Sequence, residues 1–177
     1  MTDAQSLRLH GLMLHKPERE TLERLQAMSE QHGWMQAGLH ELSLTPLETW
    51  QEEYTRLFVN TDPDRSAPPY ESIYRRQPED AVVVERLQAL YREAGLDIGE
   101  QPADHLGTQL TIAAHLAASD DPRAPHWQIR LWRDHLQQWL PRFVADVCEH
   151  SQLLIYRLWG GQLTLLHKQM QELTAYA

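Results

Sequence analysis

The sequence predicts an all-α protein, a single-chain helical bundle with two helical lobes joined by the loop at residues 60–69. Three observations lead to this fold class. Apolar residues recur at helical spacing through most of the chain. Prolines stand where helices begin, as at Pro46 and Pro125. No Asn-Gly or Asp-Gly hairpin turn occurs in the 177 residues. We place the N-terminal lobe at about 1–120 and the C-terminal lobe at about 121–177.

The first part of the chain predicts three helices and a long loop. Two helices are expected near residues 3–15 and 17–32. The motif TPLE at residues 45–48 is typical of a capping box with proline at the first helical position, and it predicts the start of the third helix. The polar, proline-rich residues 60–69 predict a loop, whose length suggests a functional or lobe-connecting role. The apolar face of the third helix carries Trp50, Tyr54, Leu57 and Phe58.

Two further helices are predicted in the middle of the chain. Residues 78–80 (PED) suit the positive end of a helix dipole and open the first of them, which ends at Gly95. Pro102 opens the second, which ends near residues 119–122. Their apolar stripes are Val83, Leu87, Leu90, Tyr91 and Ala94 in the first, and Leu106, Leu110, Ala113 and Ala117 in the second.

The C-terminal part predicts two more helices. Pro125 opens one of them, and Pro141 kinks or breaks it. Ser151 caps the last, a long helix that the glycines at 160–161 bend. The predicted apolar stripes are Trp127, Leu131, His135 and Trp139 in the first, and Leu165, Leu166 and Met170 in the second.

Composition and charge restrict the function classes. Sixteen Lys and Arg residues against 25 Asp and Glu residues give a net charge of −9, which argues against nucleic acid and anionic membranes but suits a basic partner. The single cysteine, Cys148, excludes a disulfide framework and a multi-cysteine metal site. No apolar run reaches membrane-spanning length, and the N-terminus lacks a signal-peptide pattern. We therefore predict a cytoplasmic protein without stable membrane insertion.

The residues that usually carry catalysis form no recognisable pattern. No two of the ten histidines lie three or four residues apart, which leaves only a metal site assembled from separate helices. Glycine-rich phosphate loops are absent. We therefore predict no enzyme, no metal and no cofactor. Two alternatives stay open: a helical enzyme that uses Asp104 and His105 in acid/base chemistry, and a plain dimerisation domain.

Two segments are more specific than a helical bundle requires. The first comprises the Tyr-x-x-Leu-Phe motif at residues 54–58 and the Pro-Tyr-Glu-Ser-Ile-Tyr motif at residues 69–74. Its aromatic side chains can build the wall of a groove, or can simply pack on one another. The second is Pro-Ala-Asp-His at residues 102–105, at a predicted helix start. A carboxylate there suits the helix dipole, and it also offers negative charge to a basic peptide.

In order and spacing, these motifs and the helix at residues 126–144 resemble the TorD/DmsD/NarJ family of redox-enzyme maturation chaperones, with the TorD/DmsD-like branch favoured. The likeness covers about residues 45–150. It departs from the family pattern at Gln101, where the family often has Glu, and at Val59 and Asn60, where a glycine is common.

The resemblance implies a cytoplasmic, all-helical chaperone, either a monomer or a domain-swapped homodimer. Its partners would be the N-terminal twin-arginine leader and the apo-form of a molybdopterin oxidoreductase, which it holds back from export until the cofactor is inserted. Such a leader is basic and then apolar, so an apolar groove with a carboxylate at its rim would suit it. The peptide-binding residues expected from the resemblance are Tyr54, Leu57, Phe58, Tyr70, Ser72, Tyr74, Pro102, Asp104 and His105.

Overall fold

The computed structural model describes residues 4–62, 64–75 and 80–175, and this part of the chain is all-α, which confirms the predicted fold class. Two π-helical turns, Thr55–Val59 and Leu131–Leu136, continue α4 and α8. None of the helices in the described ranges is long and apolar enough to cross a membrane. The helices are α1 (Ala4–Leu12), α2 (Arg19–Ser29), α3 (Gln36–Leu44), α4 (Leu47–Tyr54), α5 (Glu71–Tyr74), α6 (Asp80–Glu93), α7 (Leu106–Ala117), α8 (Ala124–Arg130), α9 (Gln137–His150) and α10 (Leu154–Ala175).

The helices enclose an apolar core that residues before and after position 120 share. Helix α1 packs against α7, and α10 packs against both α9 and α3. The rings of Phe58 and Phe143 meet the Trp159 ring edge-to-face, at centroid distances of 6.0 and 5.9 Å. Such aromatic pairs stabilise a core beyond the burial of their area. The largest fully buried side chains at the centre are Trp132, Trp139 and Trp159.

Helical periodicity predicted most of the buried faces correctly, but Leu165, which belongs to the predicted stripe of the last helix, is 57% exposed and that prediction is wrong. The stripe of α6 from Val83 to Tyr91 is at most 2% exposed. The stripe that begins at Trp127 is at most 7% exposed. Gly95 has a φ of +71°, the left-handed conformation predicted for the residue that ends α6. Residues 78–79, the first part of the predicted start of α6, lie outside the described residues.

The predicted capping box at residues 45–48 is wrong. Helix α4 begins at Leu47, and Pro46 is its N-cap without a side-chain hydrogen bond. The Thr45 hydroxyl instead donates to the Glu41 carbonyl at 2.8 Å and so closes α3, a helix that the sequence did not predict. Because α3 spans nine residues, its apolar pattern is too short to be distinguished from its neighbours.

Two further predicted helix starts are also wrong. Helix α7 begins at Leu106 rather than at Pro102, with His105 as its N-cap. Helix α10 begins at Leu154 rather than after Ser151, whose buried hydroxyl donates to a backbone carbonyl at 2.9 Å. The amide of Leu154 is satisfied by the Glu41 carboxylate at 2.6 Å, so a residue from α3 takes the place of the expected local cap.

Neither Pro141 nor the glycines at 160–161 break the last two helices. Helix α9 continues through Pro141 without a break, and the irregular turn precedes it at Leu131–Leu136. Helix α10 is uninterrupted at Gly160 and Gly161. A Cβ at Gly160 would lie 2.7 Å from the Cys148 sulfur, so this glycine allows α9 and α10 to approach closely.

A substitution at Gly38 can test the packing of α3 on α10. A Cβ at this position would lie 2.7 Å from the Ile155 Cα atom, so backbone must shift to accept it. We expect Gly38→Ala to lower the free energy of unfolding by about 1–3 kcal/mol in urea titrations. Gly161→Ala is the matched control, because its Cβ would meet nothing within 4 Å. It should raise stability by up to about 1 kcal/mol, since alanine favours helix. Equal effects would contradict this packing.

Candidate functional site

The two sequence motifs meet in the folded protein. Tyr70 and His105 form an isolated antiparallel bridge, and the amide of Glu71 donates to the Asp104 carbonyl at 3.0 Å. The Tyr70 and His105 rings pack edge-to-face with their centroids 5.0 Å apart. Residues 102–105 form a turn in which the His105 amide donates to the Pro102 carbonyl at 3.3 Å, and α7 begins only after this turn. We call the contact between residues 69–72 and 102–106 the motif junction.

Asp104 lies beneath the surface of the motif junction. It is 5% exposed, and its Oδ2 atom accepts hydrogen bonds from the Ser72 hydroxyl at 2.6 Å and the Ser72 amide at 3.3 Å. Its carboxylate therefore caps the start of the short helix α5 from a distant part of the chain. The sequence placed Asp104 at the rim of a groove, whereas the structure directs its carboxylate to Ser72.

A buried polar cluster lies next to Asp104. The carboxylate of Glu71, 0% exposed, accepts from Arg75 Nε at 3.0 Å and from Gln109 Nε2 at 2.9 Å, and it lies 3.0 Å from His135 Nδ1. Gln109 Nε2 also donates to the Asp104 carbonyl at 3.2 Å. Sequence reasoning missed these roles, although the i, i+4 spacing of Glu71 and Arg75 was a signal. We call Glu71, Arg75, Gln109 and His135 the Glu71 cluster.

The Tyr-x-x-Leu-Phe motif contributes mainly to the core. Leu57 and Phe58 are 0% and 3% exposed, so in this structure they do not line an open groove. Phe58 packs edge-to-face on Tyr156, with ring centroids 5.0 Å apart. Tyr54 is half-buried, and its hydroxyl donates to the Leu14 carbonyl at 2.9 Å. Burial, together with the nearby Tyr70, raises the pKa of the Tyr54 hydroxyl.

The two remaining predicted residues, Tyr74 and Pro102, differ in burial. Tyr74 is 7% exposed, stacks on Trp139 with centroids 5.5 Å apart and donates to Asp146 Oδ2 at 3.0 Å. It therefore anchors α5 to α9. Pro102 is exposed.

A cleft of about 660 Å³ opens beside the motif junction, between the α1–α2 segment and the start of α7. Of the predicted residues, His105 lines this cleft, and the Leu14 residue that holds Tyr54 lines it as well. Its other wall comes from residues before position 25, where the sequence analysis identified no motif. The charged side chains and histidines along its lining are His15, Lys16, Glu18, Glu20, Arg24, Asp97 and His105.

His105 links the cleft to α7. Its Nδ1 atom accepts a hydrogen bond from the Gly107 amide at 3.1 Å and so caps the helix. Burial lowers the pKa of this imidazole, with a smaller lowering from His15, while Asp104 opposes the shift. The ring is therefore neutral at pH 7, as an acceptor at Nδ1 requires.

The local geometry does not support acid/base chemistry by Asp104 and His105. The Asp104 carboxylate is directed to Ser72, and the His105 Nδ1 atom is directed to Gly107. Neither side chain is therefore oriented to activate the other as a general base. Within the described ranges, no group of three or more His, Cys, Asp or Glu side chains is placed to hold a metal ion.

Comparison with known proteins identifies similar sequences. A family model described as the nitrate reductase delta subunit matches residues 14–145. Chaperone protein TorD of Escherichia coli O81 (strain ED1a) is 30% identical, over 64% of this chain and 58% of TorD. Chaperone protein YcdY of Escherichia coli (strain K12) is 27% identical, over 59% of this chain and 54% of YcdY. The match thus spans little more than half of these two relatives.

A solved structure shares the fold over nearly the whole chain. It is that of a protein from Archaeoglobus fulgidus assigned to redox enzyme maturation, with a TM-score of 0.64 and 22% sequence identity. The superposition covers 97% of this chain and 95% of that chain. The range matched by the family model, residues 14–145, contains the motif junction and most of the lining of the cleft.

Proposed function

We propose a function from the premise that the chain belongs to the nitrate reductase delta subunit family, whose members act in molybdoenzyme maturation. This membership confirms the resemblance drawn from the sequence motifs. The protein is a chaperone rather than an enzyme. It binds the N-terminal twin-arginine leader of an apo molybdopterin oxidoreductase in the cytoplasm, and it delays export until the cofactor is inserted.

The cleft beside the motif junction is the observation that carries this proposal. Its volume of about 660 Å³ is within the usual range of ligand pockets, roughly 300–1,000 Å³. The carboxylates of Glu18, Glu20 and Asp97 along its lining can pair with the basic part of a leader. The net charge of −9 also favours encounter with a basic peptide.

The predicted peptide-binding residues divide into two groups under this proposal. One group contacts the leader at or near the cleft, and the other supports those contacts from beneath the surface. Burial makes the division for all but one residue, because a side chain without exposed area cannot touch a docked peptide unless the fold opens. Ser72 is half-buried and joins the supporting group because its hydroxyl donates to Asp104 at 2.6 Å. The contacting group is Tyr54, Tyr70, Pro102 and His105, and the supporting group is Leu57, Phe58, Ser72, Tyr74 and Asp104.

Calorimetric titration with the synthetic leader of the oxidoreductase encoded nearest to this gene tests the proposal. We expect a dissociation constant in the micromolar range or below. His105→Asn should weaken binding about tenfold, equivalent to about 1.4 kcal/mol, because it removes the ring at the cleft. Asparagine is itself a good N-cap, so α7 should keep its capped start.

His115→Ala is the control for this experiment. His115 belongs to α7, is exposed and does not line the cleft, from which it is separated by about one helical turn after Thr111. Its replacement should leave the dissociation constant unchanged. A parent protein that does not bind the leader contradicts the proposed function, and equal binding by His105→Asn and the parent contradicts the location of the site.

A further inference from the structure

Glu71 is a fully buried carboxylate to which leader binding gives no direct role. It is 0% exposed and does not line the cleft. Burial of an ionised carboxylate is unfavourable unless charged and polar partners compensate for the lost water. We therefore expect the Glu71 carboxylate to hold its charged and polar partners in place.

On one side, Glu71 holds the motif junction together. Its amide donates to the Asp104 carbonyl at 3.0 Å, and its Oε2 atom accepts from Gln109 Nε2 at 2.9 Å. Gln109 Nε2 also bonds the Asp104 carbonyl at 3.2 Å, so this amide connects both segments. The neighbouring residue Tyr70 is thereby kept in its edge-to-face contact with His105.

On the other side, Glu71 reaches the C-terminal half of the chain. Its Oε1 atom accepts from Arg75 Nε at 3.0 Å and lies 3.0 Å from His135 Nδ1. Arg75 also donates to the Asp134 carbonyl. Both His135 and Asp134 belong to the π-helical turn Leu131–Leu136. One carboxylate therefore joins the wall of the cleft to the helices that follow residue 124.

We propose that Glu71 is a positioning residue for the leader site. It holds Tyr70 in contact with His105, which lines the cleft, without touching the peptide. The inference rests on the proposed function, because it assigns Glu71 a role in leader binding. Both carboxylate oxygens are needed, since Oε2 faces Gln109 while Oε1 faces Arg75.

Glu71→Gln is the variant that tests this role, because it keeps the shape and removes one acceptor. If the new amide nitrogen faces Arg75, two donors meet. If it faces Gln109, the Gln109 amide must rotate to accept from it and then no longer donates to the Asp104 carbonyl. Either orientation therefore disturbs the motif junction. We expect the leader to bind about tenfold more weakly in calorimetry, at a temperature where circular dichroism shows the variant fully folded.

Glu53→Gln is the matched control. Glu53 is also a buried carboxylate, 5% exposed, and accepts from Arg56 Nε at 2.8 Å and from the Gln152 amide at 2.7 Å. These contacts join α4 to the turn between α9 and α10, away from the motif junction. The control therefore loses stability through the same chemistry, and we expect its leader affinity to stay within twofold of that of the parent.

The outcomes distinguish a failure of the inference about Glu71 from a failure of the proposed function. If the parent does not bind the leader, the proposed function is wrong and the inference falls with it. If the parent binds and Glu71→Gln binds equally well, or Glu53→Gln weakens binding as much, the inference alone is wrong. If Glu71→Gln does not fold, Ser72→Ala is the variant that tests the inference. Loss of the Ser72–Asp104 hydrogen bond should then weaken leader binding about threefold. Leader affinity equal to that of the parent would overturn the inference.

Discussion

Glu71→Ala is expected to lower the free energy of unfolding by about 3–5 kcal/mol at neutral pH, as measured by urea titration. The substitution leaves the Arg75 guanidinium, whose side chain is 11% exposed, without its carboxylate partner. It also removes the acceptor that faces Gln109 and His135 inside the protein. Loss of the buried ion pair and of the acceptor for these buried polar groups accounts for most of the expected loss.

Glu93→Ala is the control for this measurement. Glu93 forms an ion pair with Arg130, but the Glu93 side chain is exposed to solvent and that of Arg130 is only half-buried. Water and salt screen such pairs, so we expect little change in stability from breaking this one. Similar losses in Glu71→Ala and Glu93→Ala would show that the Glu71 cluster does not behave as a buried ionic group.

Acidification from pH 8 to pH 5 is expected to reduce stability by about 2 kcal/mol through His10 alone. Burial, and to a smaller extent the nearby His32, lowers the pKa of His10 to about 4 from its usual value of 6.5. The His10 side chain is 4% exposed, and its Nδ1 atom accepts a hydrogen bond from Trp159 Nε1 at 3.1 Å. Protonation at Nδ1 would remove that acceptor.

The direction of the pH effect follows from the order of the two pKa values. The unfolded chain takes up a proton on His10 below about pH 6.5, whereas the folded protein takes it up only near pH 4. The contribution of neutral His10 to the free energy of unfolding is therefore complete at pH 8, and it decreases as the pH drops through this window. The pKa values of His105 and His167 are also lowered by burial and act in the same direction.

His10→Gln isolates this contribution. Its side-chain oxygen can accept from Trp159, and it does not titrate. The loss of stability between pH 8 and pH 5, measured by urea titration, should be smaller in this variant by about 2 kcal/mol. His40→Gln, at an exposed position, should keep the pH dependence of the parent. Identical pH profiles for the parent and His10→Gln would rule out a buried neutral His10.

Helical periodicity was sufficient to predict most of the fold. The stripes that begin at Val83 and at Trp127 face the core as the spacing indicates, and Gly95 ends α6 in the expected left-handed conformation. These features depend on residues within a few turns of one another, so the sequence contains them directly. The short helix α3 was missed because nine residues give too little periodicity.

The candidate site was predicted in part. The motif residues Tyr70, Ser72, Asp104 and His105 do come together, as a shared role in one site requires. Their exposure could not be predicted, because an aromatic or acidic residue in a motif can lie either at the rim of a groove or in the core of the protein. The Glu71–His135 contact joins residues 64 positions apart, which no local pattern indicates.

The sequence by itself determined that the chain is helical, which faces of most helices are buried and which family it resembles. Tertiary structure decided where helices start and which charges lie inside. Helix starts depend on what accepts their free amide groups, and these acceptors can be remote: Glu41 serves Leu154 from 113 residues away, and Asp104 serves Ser72. Periodicity is a local property, whereas the partners of amide groups and buried charges are set only when distant segments meet.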